Sequence, residues 1–296
     1  MKLAHYGEDR LVRDLTHKLT TGRDVRVGIG DDCAVIGRPR DASWLLLKTD
    51  AVVEGVHFLP TEDLRRVGWK ALCRALSDIA AMGGAPRHAL ITVAISPERT
   101  VADVRALYAG LRKAARKFGV GIVGGETSRS PGPMFVNVAL TGEVARARCT
   151  LRSGGRPGDA LYVTGRLGGS LKGRHLDFTP RLAEAQWLVS HFKLRAMMDV
   201  SDGLAADLPR LAAASRCGFE LWKHAIPRAA GCTVAQALSD GEDYELLFAI
   251  APRETARLDL EWKRAFPRLA LTRIGVLNSK FKIQNSKFSR GFDHFA

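Results

Sequence analysis

Two rhythms of apolar residues alternate along this chain. Short unbroken runs at 44–48, 89–95, 120–123 and 161–163 read as buried strands. Between them, apolar residues recur every three or four positions, as on one face of a helix. Over 63–82 that stripe is Leu64, Val67, Ala71, Leu72, Ala75, Leu76 and Ile79, and Gly83-Gly84 stops it. Ser96-Pro97 offers an N-cap and a first-turn proline for a second helix, striped by Val101, Val104, Leu107, Tyr108, Leu111 and Ala115 and ended by Gly119. Phe135, Val136, Val138 and Leu140 predict a further strand that ends near Gly142.

The segment Arg152-Ser153-Gly154-Gly155-Arg156-Pro157-Gly158 interrupts both rhythms, and glycine and charge mark it as a boundary. The pattern then restarts: a strand at 161–163, a loop at 165–173, a helix at 180–191 and a short run ending at Asp199. A helix at 204–214, a strand at 244–250 and one more helix and strand up to Val276 follow. Strands alternating with helices in two halves predict an α/β or α+β protein. A length of 296 residues suits two domains, 1–150 and 151–296. Near the end, Asn278-Ser279-Lys280-Phe281 recurs as Asn285-Ser286-Lys287-Phe288, too short for a repeat architecture and read as a basic hairpin or lengthened tail.

Acidic residues collect beside glycines or just past apolar runs. They are Gly30-Asp31-Asp32, Thr49-Asp50, Ser77-Asp78, Gly124-Gly125-Glu126, Asp199-Val200-Ser201-Asp202 and Asp240-Gly241-Glu242-Asp243, with Glu54 and His57 trailing the second. One such site is most simply a turn. A set of them after apolar runs points instead to hard oxygen ligands. Magnesium takes carboxylates, keeps several waters and bridges to substrate phosphates. Asp78 falls in the last turns of its helix, where a carboxylate opposes the dipole, a penalty that a bound cation would compensate. His57 is either a satisfied strand-end histidine or a substrate contact. Arg152 is either a solvated linker charge or a phosphate clamp.

Composition narrows the classes. Net charge is +14, from 45 basic and 31 acidic residues. That balance attracts anions, but the basic residues alternate with acids, as in Asp63-Leu64-Arg65-Arg66, and form no stripe suited to specific nucleic-acid binding. The longest apolar run, 89–95, is far short of the roughly 20 residues of a membrane helix. The N-terminal stretch Met1-Lys2-Leu3-Ala4-His5 lacks an apolar signal core, which argues against export. Cys33, Cys73, Cys149, Cys217 and Cys232 form no Cys-x-x-Cys pair, so a reducing cytoplasm fits better than a disulfide framework or a zinc site. Gly168-Gly169-Ser170-Leu171-Lys172-Gly173 only imitates a P-loop, and no protein-kinase element accompanies it.

Taken in order, these segments resemble the thiamine-monophosphate kinases, a family related to aminoimidazole ribonucleotide synthetase and selenophosphate synthetase. The resemblance rests on Gly28-Ile29-Gly30-Asp31-Asp32-Cys33-Ala34, Glu54-Gly55-Val56-His57-Phe58, Leu76-Ser77-Asp78-Ile79-Ala80-Ala81-Met82-Gly83, Gly124-Gly125-Glu126-Thr127 and Thr150-Leu151-Arg152-Ser153-Gly154. Asp199-Val200-Ser201-Asp202-Gly203-Leu204, Gly241-Glu242-Asp243-Tyr244-Glu245-Leu246 and Gly291-Phe292-Asp293-His294-Phe295 complete it. It implies a two-domain α+β fold whose N-terminal sheets pair into a β-barrel in a homodimer. It implies ATP-dependent phosphorylation of thiamine monophosphate to thiamine diphosphate, with several magnesium ions. By the same resemblance, Asp32, Thr49, Asp50, Asp78, Glu126, Asp199 and Asp202 hold metal. Gly125, Glu126, Arg152 and Ser201 meet ATP, and His57, Glu242 and Phe292 meet the thiamine phosphate. No general base is expected, because the acceptor phosphate is mostly ionised at neutral pH. The alternatives are a related enzyme with another acceptor, or a thiamine-phosphate binder without turnover.

The chain departs from the family pattern at three residues, and its loop over 165–180 is short. Glu126 stands where aspartate is usual, and Asp240 where glycine is usual. Lys48 stands where a small hydroxyl residue is common, and a cation there would compete with a metal unless it points away.

Overall fold

The computed structural model describes residues 3–280 and contains two sheets with helices between and around them. After a short helix α1 (Glu8–Thr16), the first sheet is built from β1 (Val25–Val27), β2 (Ala34–Ile36), β3 (Ser43–Val53), β4 (Ala85–Ile95), β5 (Gly121–Arg129) and β6 (Phe135–Ala145). Its order is β1-β2-β3-β6-β4-β5, antiparallel except for the parallel pair β4–β5. That parallel pair needs a crossover, supplied by α3 (Val101–Phe118). The second sheet, ordered β8-β10-β7-β11-β9, is antiparallel throughout. Its strands are β7 (Ala160–Thr164), β8 (Ala196–Val200), β9 (Gly218–Leu221), β10 (Glu245–Ile250) and β11 (Leu271–Asn278). The mixed content and segregated sheets make the fold α+β.

α2 (Leu64–Ala81) is the central element, and almost all of it beyond the first turn is buried. It packs on α3, on the inner face of the first sheet, on α4 (Leu182–His191) and on β8 of the second sheet. The predicted stripe explains the apolar side of that burial, since Leu72, Ala75, Leu76 and Ile79 are fully inaccessible. The second sheet is closed by α5 (Leu204–Ala214), α6 (Val234–Ser239) and α7 (Thr255–Ala265). β7, β8 and β10 are buried along their whole length, so they read as continuous apolar runs rather than alternations.

Three local expectations change. β3 does not stop at Thr49-Asp50 but runs on to Val53, because β6 pairs with every residue of it. Gly124-Gly125-Glu126 lies inside β5 rather than after it. The helix over 101–118 is capped by Thr100, not Ser96. Thr100 and Asp103 form a reciprocal capping box, while Ser96 closes a separate turn with Arg99.

Candidate functional site

The site grows from the C-terminal half of α2. Lys70, Arg74 and Asp78 recur every fourth residue, so they share one face of the helix. Asp78 and Arg74 approach the place where β3, the 29–33 turn and the C-terminal end of β8 meet, and Lys70 reaches His57 and Glu242.

At Asp78 the structure gathers carboxylates from separate segments. One oxygen or more from each of Asp32, Asp78 and Asp199 lies within 4.8 Å of the others, and all three residues are buried. Ser77 Oγ donates to Asp199 Oδ2 at 2.5 Å. Arg152 donates to Asp32 Oδ1 through Nη2 at 2.6 Å and through Nε at 3.2 Å. Asp32 Oδ2 is inaccessible and has no hydrogen-bond partner among the described residues. An orphaned carboxylate oxygen facing other carboxylates is costly without a cation.

The electrostatics agree. Burial pushes Asp78 well above the ordinary carboxylate range, with Lys48 opposing the shift and Asp199 adding to it. Burial, then the charge of Asp32, pushes Asp199 up to about 7. Burial and Asp32 likewise push Asp31 up to about 6. Hard oxygen donors whose charges are unfavourable alone are a donor set that suits magnesium.

Pleating decides which expected residues join this cluster. Lys48 and Asp50 pair with Leu140 and Val138 on the inner face of the sheet, and both of those partners are buried. Lys48 points into the site, and its Nζ stands 2.9 Å from Asp78 Oδ1. Asp50 Oδ1 lies 3.2 Å from Arg74 Nη2. Thr49 faces the other way, where its Oγ1 donates to Asn137 Oδ1 at 2.9 Å. Glu126 is exposed on β5, in the same cross-strand row as Thr92 and Asn137. Thr49 and Glu126 therefore lie on the outer face, apart from Asp32, Asp78 and Asp199. Gly125 sits on the inner row beside Ile91 at φ 155°, and a Cβ there would fall 1.8 Å from the Ile91 carbonyl oxygen. Only glycine lets the two backbones approach this closely.

Beside the cluster opens a cavity of about 110 Å³. Its walls include His57, Arg74, Ser201, Asp202, Asp240 and Glu242. Four expected positions from distant segments, His57, Ser201, Asp202 and Glu242, thus line one space. His57 Nδ1 accepts from the Val53 amide at 3.1 Å. Lys70, fully buried, donates both to the His57 carbonyl and to Glu242 Oε2, each at 2.6 Å. Glu242 and Tyr244 hold φ near 50° (51° and 52°), a conformation non-glycine residues rarely adopt, and the Glu242 amide is pinned to the Ser201 carbonyl at 2.6 Å. Asp207 accepts from the amides of Ser201 and Asp202, both at 3.0 Å, and Arg210 bridges Asp202 and Asp207. Asp240 accepts from the Gly169 amide at 2.8 Å, so its carboxylate braces the 165–173 loop. Phe292 lies outside the described residues, as does most of the repeated tail.

Lys70, Arg74, Asp207 and Arg210 were not singled out by sequence reasoning. The signal was present for the first two: with Asp78 they put a charge at every fourth position of a largely apolar helix.

A six-stranded sheet crossed by a buried helix, with carboxylates massed where it meets a second α/β layer, defines an ATP-dependent enzyme fold of the aminoimidazole ribonucleotide synthetase type. Residues 30–144 match the family described as AIR synthase related protein, N-terminal domain. A thiamine-monophosphate kinase of Rhodopirellula baltica is 38% identical, with 90% of each chain covered. One from Salmonella typhimurium is 33% identical, with 98% of each covered. The solved structure "AaThiL complexed with AMPPCP and TMP" superposes with a TM-score of 0.82 at 31% identity, over 99% of both chains. The chain belongs to the thiamine-monophosphate kinase family.

Proposed function

We propose that this chain transfers the γ-phosphoryl group of ATP to thiamine monophosphate, giving thiamine diphosphate and ADP. The observation that carries the reading is the convergence of Asp32, Asp78 and Asp199, drawn from three separate segments, beside a cavity walled by His57 and Glu242. Its relatives are thiamine-monophosphate kinases, and a solved neighbour is complexed with AMPPCP and TMP.

The acceptor is a phosphate oxygen whose second pKa is near 6, so it is already mostly ionised and needs no protein base. The chain's own work is alignment and charge control. Arg74 lines the cavity with its guanidinium between Asp50 and the Ala51 carbonyl, where it can meet an anionic substrate group. Arg152, tied to Asp32, would meet a nucleotide phosphate. Glu242 and His57, fixed through Lys70, shape the end of the cavity that would receive the thiamine portion. Asp32, Asp78 and Asp199 would hold magnesium, with Asp50 and Asp202 close by. When bound, it would neutralise charge on the phosphates being brought together. Thr49 and Glu126 are assigned no part in this buried cluster.

We place the enzyme in the cytoplasm and as a homodimer. All five cysteines are unpaired, as in a reducing compartment. Among the described residues, no helix is long and apolar enough to cross a membrane. The outer face of the first sheet exposes Leu45, Leu47, Leu90 and Val123, a patch suited to a second copy.

The test is ADP release with thiamine monophosphate, with thiamine and with no acceptor, each with and without magnesium. ADP formed only with thiamine monophosphate and magnesium is the expected result. Acceptor-independent release, or binding without release, would overturn the reading.

A further inference from the structure

Two side chains around the carboxylates, one from β3 and one from α2, are cations from this chain itself. Lys48 Nζ pairs with Asp78 at 2.9 Å, and Arg74 Nη2 with Asp50 at 3.2 Å. Arg152 supplies a third, on Asp32. The acidic groups drawn together here are Asp31, Asp32, Asp50, Asp78 and Asp199. Three are matched by a side-chain cation. Asp199 is held by a serine hydroxyl and Asp31 by backbone amides, so neither is neutralised by a side chain at hydrogen-bond range. Among these five groups two formal negative charges remain, the charge of one divalent ion, and without Lys48 three would remain.

Lys48 is not a surface lysine that folds back by chance. It rises from the middle of an eleven-residue strand paired along its full length, and its side chain is 23% exposed. The strand fixes its direction, and Leu46 and Val52 on the same face are buried at 0% and 1% exposure. An ammonium offers three donors and one positive charge to a carboxylate that would otherwise bind metal.

We propose that Lys48 is a tethered cation that occupies one metal position of the carboxylate cluster, so that the nucleotide-free protein takes a single divalent ion where the same cluster without the ammonium would take two. This deepens the kinase reading and rests on its assignment of metal to Asp32, Asp78 and Asp199. Lys48 acts by holding Asp78 and is a positioning residue; it is given no bond to substrate.

The experiment counts Mn²⁺ bound to the full-length, nucleotide-free protein by electron paramagnetic resonance, for the wild type and for Lys48→Ser, Lys48→Gln and Lys48→Arg. One ion is expected in the wild type and in Lys48→Arg, and two in Lys48→Ser and Lys48→Gln. Mg²⁺ should also raise the melting temperature of the two neutral variants more than that of the wild type. Lys48→Gln keeps an unbranched, hydrogen-bonding side chain without the charge, so it guards against a folding defect in the serine variant. The same ion count in wild type and neutral variants would overturn the proposal, as would Lys48→Arg behaving like Lys48→Ser. Loss of the kinase reading is seen separately, as absence of magnesium-dependent ADP release from the wild type.

Discussion

The two faces of the first sheet are made by the same strands yet differ in every physical respect. On β3, Trp44, Leu46, Lys48, Asp50 and Val52 turn toward α2, where polar groups are buried and paired. Leu45, Leu47 and Thr49 turn outward, beside Leu90 and Val123 on neighbouring strands, and are exposed. The inner face is electrostatically loaded and covered. The outer face is open and carries exposed apolar side chains around a shallow hollow lined in part by Leu47, Thr49, His88, Leu90 and Val123, with Glu126 and the Arg87–Glu143 pair also on it. One residue of register separates a position facing the buried carboxylates from one on the open face.

The sharpest way to break this contrast is to remove charge from the inner face. Asp78→Asn should lower turnover about 1000-fold, the scale on which a charge partner acts in phosphoryl transfer, while circular dichroism stays native. Near-wild-type turnover would remove Asp78 from the machinery. The opposite manipulation adds charge outside. Leu90→Lys should convert a dimer to a monomer in sedimentation, with the Mn²⁺ count unchanged; a monomeric wild type would show that the outer face has another purpose.

A third test uses pH. In the metal-free fold Asp199 keeps its proton to about 7, whereas the ordinary value is 3.8. Between those values the folded form binds the extra proton, so stability is greatest near the acid end and falls as pH rises toward 7. Asp207 and Asp243, each raised to about 7 chiefly by burial, add to the same trend. The melting temperature without magnesium should drop by several degrees from pH 5 to pH 8, and magnesium should flatten the curve. A metal-free curve rising across that window would contradict the assignment. The smallest effect is expected from Thr49→Ala. Its hydroxyl bonds Asn137 on the exposed face, so turnover should change less than about twofold, within the range of exposed substitutions.

How legible these faces were in the sequence depends on the range of the interactions. The stripe over 63–82 was readable because 3.6-residue periodicity is local, and α2 lies there with Asp78 in its last turn. The Thr100 cap was also local, in Thr100-Val101-Ala102-Asp103, but Ser96-Pro97 imitated a start four residues earlier. Thr49 and Glu126 adjoin the same glycines and carboxylates in sequence as the clustered residues do. Their orientation follows from pairing with β6 and β4, which no short segment encodes. Lys48 could be seen as unusual, but its partner is thirty residues away and across the core. The convergence of His57, Ser201, Asp202 and Glu242 on one cavity came from family resemblance rather than periodicity.

The account stands on carboxylates from distant segments meeting around a cation beneath the inner face. Crystals soaked in Mn²⁺ would test this most directly, through anomalous scattering. An ion at about 2.1 Å from oxygens of Asp32, Asp78 or Asp199 is the predicted result. Manganese found only on the outer face near Glu126, or nowhere within reach of those three aspartates, would contradict it.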